Sequence, residues 1–300
     1  MKSKESSKFL HDLRKSGLLN LIPDSLYLKL IFKSRMHKRL HLKSPQTFNE
    51  KLQWLKLYDR KPEYTTMVDK IEAKKYAASI IGEEYIVPTL GVWEKFDDID
   101  FDKLPDQFVL KCSHDSGGLV ICRDKSALDK LDAKQKIDNS MADNYYWRGR
   151  EWPYKNVGPR ILAEAFLSAP EPEGIIDYKF FCFDGEPKFL YISHGLEDHE
   201  TAEISFYDLE QKELPFHRSD YKPYHNALFP DNFEQMKEIA AKLAQSTGAP
   251  FVRIDLYSID QNIYFSEITF SPCGGFVPFE PKEWDEKLGS YITLPKNKKQ

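Results

Sequence analysis

Cysteine is scarce in this sequence. Four occur in 300 residues, Cys112, Cys122, Cys182 and Cys273, and no two form a Cys-x-x-Cys pair. That spacing argues against a zinc ribbon or a disulfide framework and for reduced thiols in a cytosolic setting. No apolar run is long enough to span a bilayer, and the polar start MKSKESSKF has no signal-peptide core. The expectation is a cytoplasmic protein, with contact at the inner face of the membrane limited to peripheral association. A basic excess is also missing: the net charge is −4, which argues against nucleic acid as a partner. Neither GxxxxGK[ST] nor GxGxxG occurs, so the two commonest phosphate-binding fingerprints are excluded. There is no internal repeat and no low-complexity linker. What remains is an ordinary globular composition, 41% apolar and 30% charged, long enough for one or two domains.

Apolar spacing supplies the elements. Thr47-Phe-Asn-Glu50 reads as a capping box opening the helix EKLQWLKLY. Residues 69–82 form a second helix, with Ala73, Ala77 and Ile80 inward and Gly82 as its stop. Ser126 to Tyr146 is a third helical stretch, and Asp231 caps a fourth that Gly248 closes. Strand-like runs lie between them: QFVLKC (107–112), GLVICR (118–123), RILAEAFL (160–167), DYKFFCF (177–183) and PKFLYIS (187–193). The last two are joined by Asp184-Gly185, a strong hairpin signal. Hairpins alternating with helices predict an α+β protein with mainly antiparallel sheets. Between Asp24 and Glu50 there is no acid, while Lys29, Lys33, Arg35, Lys38, Arg39 and Lys43 all appear. This segment reads either as a helix with a solvated lysine face or as a surface for an anionic membrane or polymer.

The chemistry concentrates in FVRIDLYSIDQNIYFSEITFSPCGG (251–275). A period of two puts Arg253, Asp255 and Tyr257 on one face of the first strand, and Ile263, Phe265, Glu267 and Thr269 on one face of the next. Paired as a hairpin, they form either a cross-strand salt-bridge ladder on a wet face or a cation site for a nucleotide's phosphates. FVLKCSHDSGG ends a strand in Lys111 and follows it with a loop in which Gly117 and Gly118 let backbone amides approach an anion. His114 in that loop reads as a turn residue or a base. Lys70 stands just inside a helix start, Glu164 interrupts an apolar strand, and Asp177 and Lys179 share a strand face. Asp98-Ile-Asp100 and Asp100-Phe-Asp102 match the Asp-x-Asp pattern of sugar-nucleotide enzymes, or simply a solvated acidic loop.

In their order along the chain these features resemble the ATP-grasp superfamily. The final hairpin is similar to the metal-binding end of D-alanine:D-alanine ligases, where a strand Arg-x-Asp precedes Glu-x-Asn-x-x-Pro-Gly. Here Arg253-Ile-Asp255 precedes Glu267-Ile-Thr269-Phe-Ser-Pro-Cys-Gly274. More specifically, SPQTFNEKLQWLKLYDR, FVLKCSHDSGG, DYKFFCFDGEP and YFSEITFSPCGG resemble the TupA-like ATP-grasp family, over residues 20–295. That family is associated with teichuronopeptide and capsular polysaccharide biosynthesis, and its members are often labelled glycosyltransferases. The resemblance implies an ATP-grasp fold, two α+β subdomains with mainly antiparallel sheets sandwiching ATP, plus a helical N-terminal extension. The parts would be 1–65, a basic helical region; 66–167, carrying the phosphate loop and adenine hinge; and 168–300, carrying the metal site.

It also implies roles. Lys70 and Lys111 would hold phosphates of ATP under the loop Ser113, His114, Ser116, Gly117 and Gly118. Glu164 and the backbone of Ala165, Phe166 and Leu167 would meet adenine, and Asp177, with Lys179 beside it, the ribose side. Asp255, Glu267 and Thr269 would bind magnesium, two ions in all, and Arg253 would stabilise the transferred phosphoryl group. Ser271, Gly274 and Gly275 would contact substrate. Thr269 stands where many ATP-grasp enzymes have asparagine, and Asp115 where glycine is expected. The implied activity joins a carboxylate, such as a uronic acid on a surface polysaccharide or sugar precursor, to an amino acid or other amine. Alternatives are a polysaccharide-biosynthesis glycosyltransferase and a non-catalytic nucleotide-binding protein of a biosynthetic complex.

Overall fold

A computed structural model describes residues 17–115, 117–168, 174–195 and 202–296, and its elements follow the apolar spacing of the chain. Helix α1 (Asp24–Met36) buries Tyr27, Leu28, Ile31, Phe32 and Met36 and turns Lys29, Lys33 and Arg35 to solvent. The first half of the basic segment is thus a core-packed helix with a solvated cationic face, and Lys38, Arg39 and Lys43 follow it in an exposed loop. Helix α2 (Phe48–Tyr58) starts at the expected capping box, with Glu50 N donating to Thr47 Oγ1 at 3.2 Å and Thr47 N to Glu50 Oε2 at 3.3 Å. After α3 (Glu63–Val68), helix α4 (Lys70–Ile81) is capped by the Asp69 carboxylate, which accepts from Ile71 N at 2.9 Å.

Strands β1 (Thr89–Trp93), β2 (Phe108–Cys112), β3 (Leu119–Cys122) and β4 (Ile161–Ala165) form an antiparallel sheet in the order β1-β4-β2-β3. Helices α5 (Lys130–Met141) and α6 (Tyr146–Gly149) lie between β3 and β4 in sequence. The expected single helix over 126–146 is therefore shorter. Asp129 caps it by accepting from Leu131 N and Asp132 N, which fixes its start inside the polar SALD segment.

Strands β5 (Asp177–Phe183), β6 (Glu186–His194) and β7 (Glu203–Asp208) are followed by the short β8 (His217–Arg218) and helix α7 (Phe233–Thr247). Next come β9 (Phe251–Ile259), β10 (Asn262–Thr269), β11 (Phe279–Glu280) and α8 (Glu283–Ser290). The large sheet runs β10-β9-β5-β6-β7, antiparallel throughout. Asp231 does not cap α7. The helix begins one residue later than that, and the Asn232 side chain is engaged with Gln261 O at 2.9 Å and Ser258 Oγ at 3.0 Å.

Both faces of the large sheet are covered. Phe180, Leu190, Val252, Ile254 and Leu256 pack with Met236, Ala240 and Leu243 of α7 and with Ala73 and Ala77 of α4. On the other face, Phe181, Phe183, Phe189 and Phe251 pack with Phe48 and Leu52 of α2 and with Leu288 of α8. Helix α4 thus shares its core with the C-terminal sheet, although Lys70 and Lys74 reach toward β2 and β4.

The sequence expectation for β10 needs one correction. Phe265 pairs with Leu256 and Glu267 with Asp255, so Ser266 is the extra residue of a β-bulge. Ile263 and Phe265 therefore join the hydrophobic core, while Glu267 and Thr269 are carried to the opposite face. Without the bulge, Glu267 would point into the core beside α7.

Gly289 is where α8 crosses the start of α2. A methyl group there would run into the backbone carbonyl of Gln46 and the amide of Phe48, neither of which can rotate away. Gly289→Ala should lower the unfolding free energy by about 1–3 kcal/mol, read from the urea midpoint. An unchanged midpoint would show that the two helices are not seated this closely.

Candidate active site

The polar end of the large sheet's second face holds a web of buried charges. Arg253 grips Asp255 with two parallel bonds, Nε to Oδ1 and Nη2 to Oδ2, each 2.6 Å. The same Nη2 reaches Glu267 Oε1 at 2.9 Å and Thr269 Oγ1 at 3.1 Å, and Thr269 Oγ1 donates to Glu267 Oε1 at 3.0 Å. Nη1 donates to the Tyr191 hydroxyl at 3.3 Å. Lys179 Nζ stands 2.8 Å from both Asp177 Oδ1 and Asp255 Oδ2. Strand register brings these together: Lys179 pairs with Asp255, Asp255 with Glu267, and Arg253 with Thr269.

This is no wet ladder. The Asp255 side chain is fully buried and those of Lys179 and Arg253 are 9% and 7% exposed, whereas Glu267 is 39% exposed. Glu267 is thus the carboxylate through which the web meets solvent. Removing one member of such a buried web leaves its partner uncompensated, at a cost of about 3–5 kcal/mol.

A second cluster lies on the smaller sheet. Glu164 accepts from Lys74 Nζ and Lys111 Nζ, each at 2.6 Å. Lys70 Nζ donates to Cys112 O at 3.2 Å and to Asp115 O, so it leans over the phosphate-type loop. Lys74 is absent from the sequence-based set. It lies one helical turn after Lys70 on α4, and that i, i+4 spacing was the available signal.

The two clusters shape each other's titration. Burial would raise the Glu267 carboxyl, but Arg253, Lys179 and Lys70 override it and hold Glu267 down at about 2. Burial pushes Asp255 upward, with Arg253 and Lys179 pulling against it. Burial alone would raise Glu164 too, yet Lys111 and Lys74 bring it below the ordinary range. Burial lowers Lys70 despite Glu267 and Asp115, and lowers Lys74 despite Glu164.

Several predicted residues are placed differently from expectation. The Ser113 hydroxyl donates to Gly158 O at 3.2 Å and accepts from Arg160 N at 3.1 Å, tying the loop to the chain before β4. His114 is buried, with Nε2 near the carbonyls of Ser140 and Asp143 at 3.1 and 3.0 Å, so it anchors the loop to α5. The Gly118 amide donates to the Asp115 carboxylate at 3.0 Å, so it is taken by the chain's own acid and not free for a ligand. A side chain at Gly118 would strike Cys112 Sγ and Ser140 Oγ, so close packing requires glycine there. Asp115 also accepts from Ser140 Oγ, which explains an acid where glycine was expected: it holds the loop together. Gly117 is exposed, and Ser116 lies outside the described residues.

Ala165 ends β4, its amide bonded to Pro88 O at 3.0 Å; Leu167 is half-buried two residues on, and the Phe166 ring lies 5.2 Å from the Arg123 guanidinium. Asp177 is spent on Lys179. The turn after β10 buries Ser271, Gly274 and Gly275. Gln53 Nε2 bonds the carbonyls of Gly274 and Gly275 at 3.1 and 2.8 Å, and Lys56 Nζ bonds Gly274 O at 2.5 Å. Asp98, Asp100 and Asp102 are exposed on two 3-10 turns, with Asp100 paired to Lys103 at 3.0 Å.

Among the described residues, no group of three or more His, Cys, Asp and Glu side chains is placed to hold a metal ion. Two adjacent carboxylates and a hydroxyl nonetheless fit a magnesium ion, which takes one or two protein carboxylates and completes its shell with phosphates and water. The ligating atoms there are oxygens, as a hard cation requires, but Arg253 and Lys179 now hold Asp255 Oδ1 and Oδ2 and Glu267 Oε1, so a cation would have to displace them.

A family model described as TupA-like ATP-grasp matches residues 50–293. Among solved structures, D-alanine–D-alanine ligase from Bacillus anthracis complexed with ATP is 16% identical, with a TM-score of 0.40 over 68% of this chain and 54% of its own. The ligase from Helicobacter pylori is 16% identical, with a TM-score of 0.43 over 82% and 69%. The ATP-grasp ligase PsnB complexed with minimal precursor, Mg and ADP is 12% identical, with a TM-score of 0.40 over 90% and 67%. The chain thus spans little more than half the length of the first of these ligases. No curated protein matches it. With one family model covering nearly all of the sequence from α2 to the end of α8, the chain belongs to the TupA-like ATP-grasp family.

Proposed function

We propose that this protein is an ATP- and magnesium-dependent ligase that joins a carboxylate to an amine through an acyl phosphate. The observation that carries this reading is the buried web of Arg253, Lys179, Asp255 and Glu267 facing a second cationic cluster of Lys70, Lys74 and Lys111. Surplus cations held in place by carboxylates make a preorganised receptor for polyphosphate. Lys74 and Lys111 now rest on Glu164; a nucleotide's phosphates would take over Lys111, leaving Glu164 free for an adenine amino group.

The chain's residues then divide the work. Lys70 and Lys111 bind phosphate oxygens, and Asp177 would turn from Lys179 to the ribose hydroxyls. A substrate carboxylate oxygen attacks the γ-phosphorus, the bond to the bridging oxygen breaks, and ADP departs with that electron pair. Arg253, fixed by its twin bonds to Asp255, neutralises charge on the phosphoryl group as it moves. The nitrogen of the neutral amine next attacks the acyl carbon, the bond from that carbon to the phosphate oxygen breaks, and phosphate leaves carrying the proton that the nitrogen gives up. Asp255 and Glu267, with Thr269 beside them, would hold magnesium, which supplies charge neutralisation to the phosphates.

The substrate class we propose is a uronic acid or similar carboxylate on a surface polysaccharide or its precursor, joined to an amino acid. The outward basic face of α1 suits an anionic glycan, and the family's association with polysaccharide biosynthesis agrees.

Incubation with Mg-ATP, hydroxylamine and a panel of uronic acids should yield hydroxamate and ADP in equal amounts, because hydroxylamine intercepts an acyl phosphate whatever the natural amine. ADP that follows a sugar hydroxyl, with no hydroxamate from any carboxylate, would instead make the protein a kinase. Asp255→Asn and Glu267→Gln should each lower turnover by about two to three orders of magnitude, while Asp98→Asn leaves it within about twofold. Circular dichroism melts of each variant separate lost chemistry from lost fold. Equal loss at Asp98 would move the site to the acidic loop.

A further inference from the structure

Helix α1 has one face in a core and one in solvent. Tyr27, Leu28, Ile31, Phe32 and Met36 pack with Leu40 and Phe276, which seats the helix along the protein's surface. The opposite stripe follows the i, i+3, i+4, i+7 spacing through Leu26, Lys29, Leu30 and Lys33, all of them exposed. Leu26 is 49% and Leu30 53% exposed, and Leu21, just before the helix, is 84% exposed. A single exposed leucine needs no explanation, but a run of them set among cations does.

The charge around these leucines has one sign. Lys29, Lys33, Lys38, Arg39 and Lys43 are exposed, and no acid occurs between Asp24 and Glu50. Those two flanking acids are engaged elsewhere: Asp24 pairs with Arg60 and Arg150, and Glu50 accepts from His41 and from Thr47 N. None of the five cations forms an ion pair with an acid among the described residues. The face is therefore cationic and uncompensated, with apolar side chains built into it.

The cations alone suit a glycan or a bilayer, and the leucines separate the two. A polyanion in water takes up the charges and gains nothing from leucine beside them. An anionic bilayer offers acyl chains directly beneath its phosphates, so one stripe satisfies both kinds of side chain. The leucines enter the acyl region, and the lysine stems run alongside them with their ammonium groups at phosphate level. Among the described residues no helix is long and apolar enough to cross a membrane. At 13 residues, α1 is too short to span one and lies in the interface plane instead.

We propose that the outward stripe of α1, with Leu21 before it and the cationic loop after it, docks the protein on an anionic lipid surface. Leucine burial supplies the part of the affinity that salt does not touch, and the cations supply the part that salt screens. The inference does not rest on the ligase reading, and it uses no residue of the phosphate or metal site.

The test is co-sedimentation of the full chain with vesicles of phosphatidylcholine, alone or mixed with about 30% phosphatidylglycerol. The protein should bind the mixed vesicles and not the neutral ones, and raised salt should weaken that binding. Leu26→Ser combined with Leu30→Ser should lower the partition coefficient by about ten- to hundredfold, and Lys29→Ala combined with Lys33→Ala by about tenfold. Leu131→Ser, at an exposed leucine of α5, should leave it within about twofold. Circular dichroism melts check the fold, and Leu30→Ser alone serves if the double leucine variant melts early. No binding to the mixed vesicles, or binding that the leucine variants do not change, overturns the proposal. Retention on polygalacturonate that needs the lysines but not the leucines, without vesicle binding, would also overturn it and assign the face to an anionic glycan.

Discussion

A buried charge must be paired, and the large sheet is covered on both faces. Its second face is aromatic at one end, where Phe181, Phe183 and Phe251 meet Phe48, and ionic at the other, where Lys179, Arg253 and Asp255 meet Glu267. Apart from Glu267 the ionic end has little solvent to fall back on, so each charge is held by another at hydrogen-bonding distance. Everything else in the site depends on that constraint. It fixes Arg253 through two bonds to Asp255, it leaves Glu267 as the one partly open carboxylate, and it makes any ligand that enters trade against pairs already formed.

The smaller sheet follows the same logic. Glu164 satisfies Lys74 and Lys111 as a phosphate would, and Asp115 satisfies the loop amide of Gly118 as an anion would. The Glu164 carboxylate thus keeps the Lys74 and Lys111 cations oriented. Helix α4 couples the two clusters, since Ala73 and Ala77 belong to the large sheet's core while Lys70 and Lys74 act on the smaller sheet. Helix α2 ties down the turn that follows the β9–β10 hairpin, through Gln53 and Lys56.

Much of this was legible in the sequence, for identifiable reasons. Alternation in 251–257 placed Arg253 and Asp255 on one face, because β9 keeps its period of two without a bulge there. The capping box at Thr47 and the helix over 70–81 are local features, and they hold. The ATP-grasp architecture followed from the order of four motifs. Residues whose roles are set by distant partners were less readable. Ser113 and His114 look like ligand residues in a loop, yet they are claimed by Arg160 and Gly158 and by the carbonyls of α5 and its exit. The bulge at Ser266 reverses the face of Glu267, and no turn residue or glycine announces it. Lys56 sits in a segment without motif character, and only packing shows that it bonds Gln53, Gly149 and Gly274.

The central claim is that the charge web is a preassembled receptor for a magnesium nucleotide. The most direct measurement is anomalous diffraction from crystals grown with manganese and a non-hydrolysable ATP analogue. An anomalous peak within coordination distance of the Asp255 and Glu267 carboxylates, with Lys111 turned from Glu164 onto a phosphate, is the predicted result. Manganese and nucleotide bound elsewhere, with the Arg253–Asp255–Lys179 pairs and both Glu164 pairs unchanged, would contradict it.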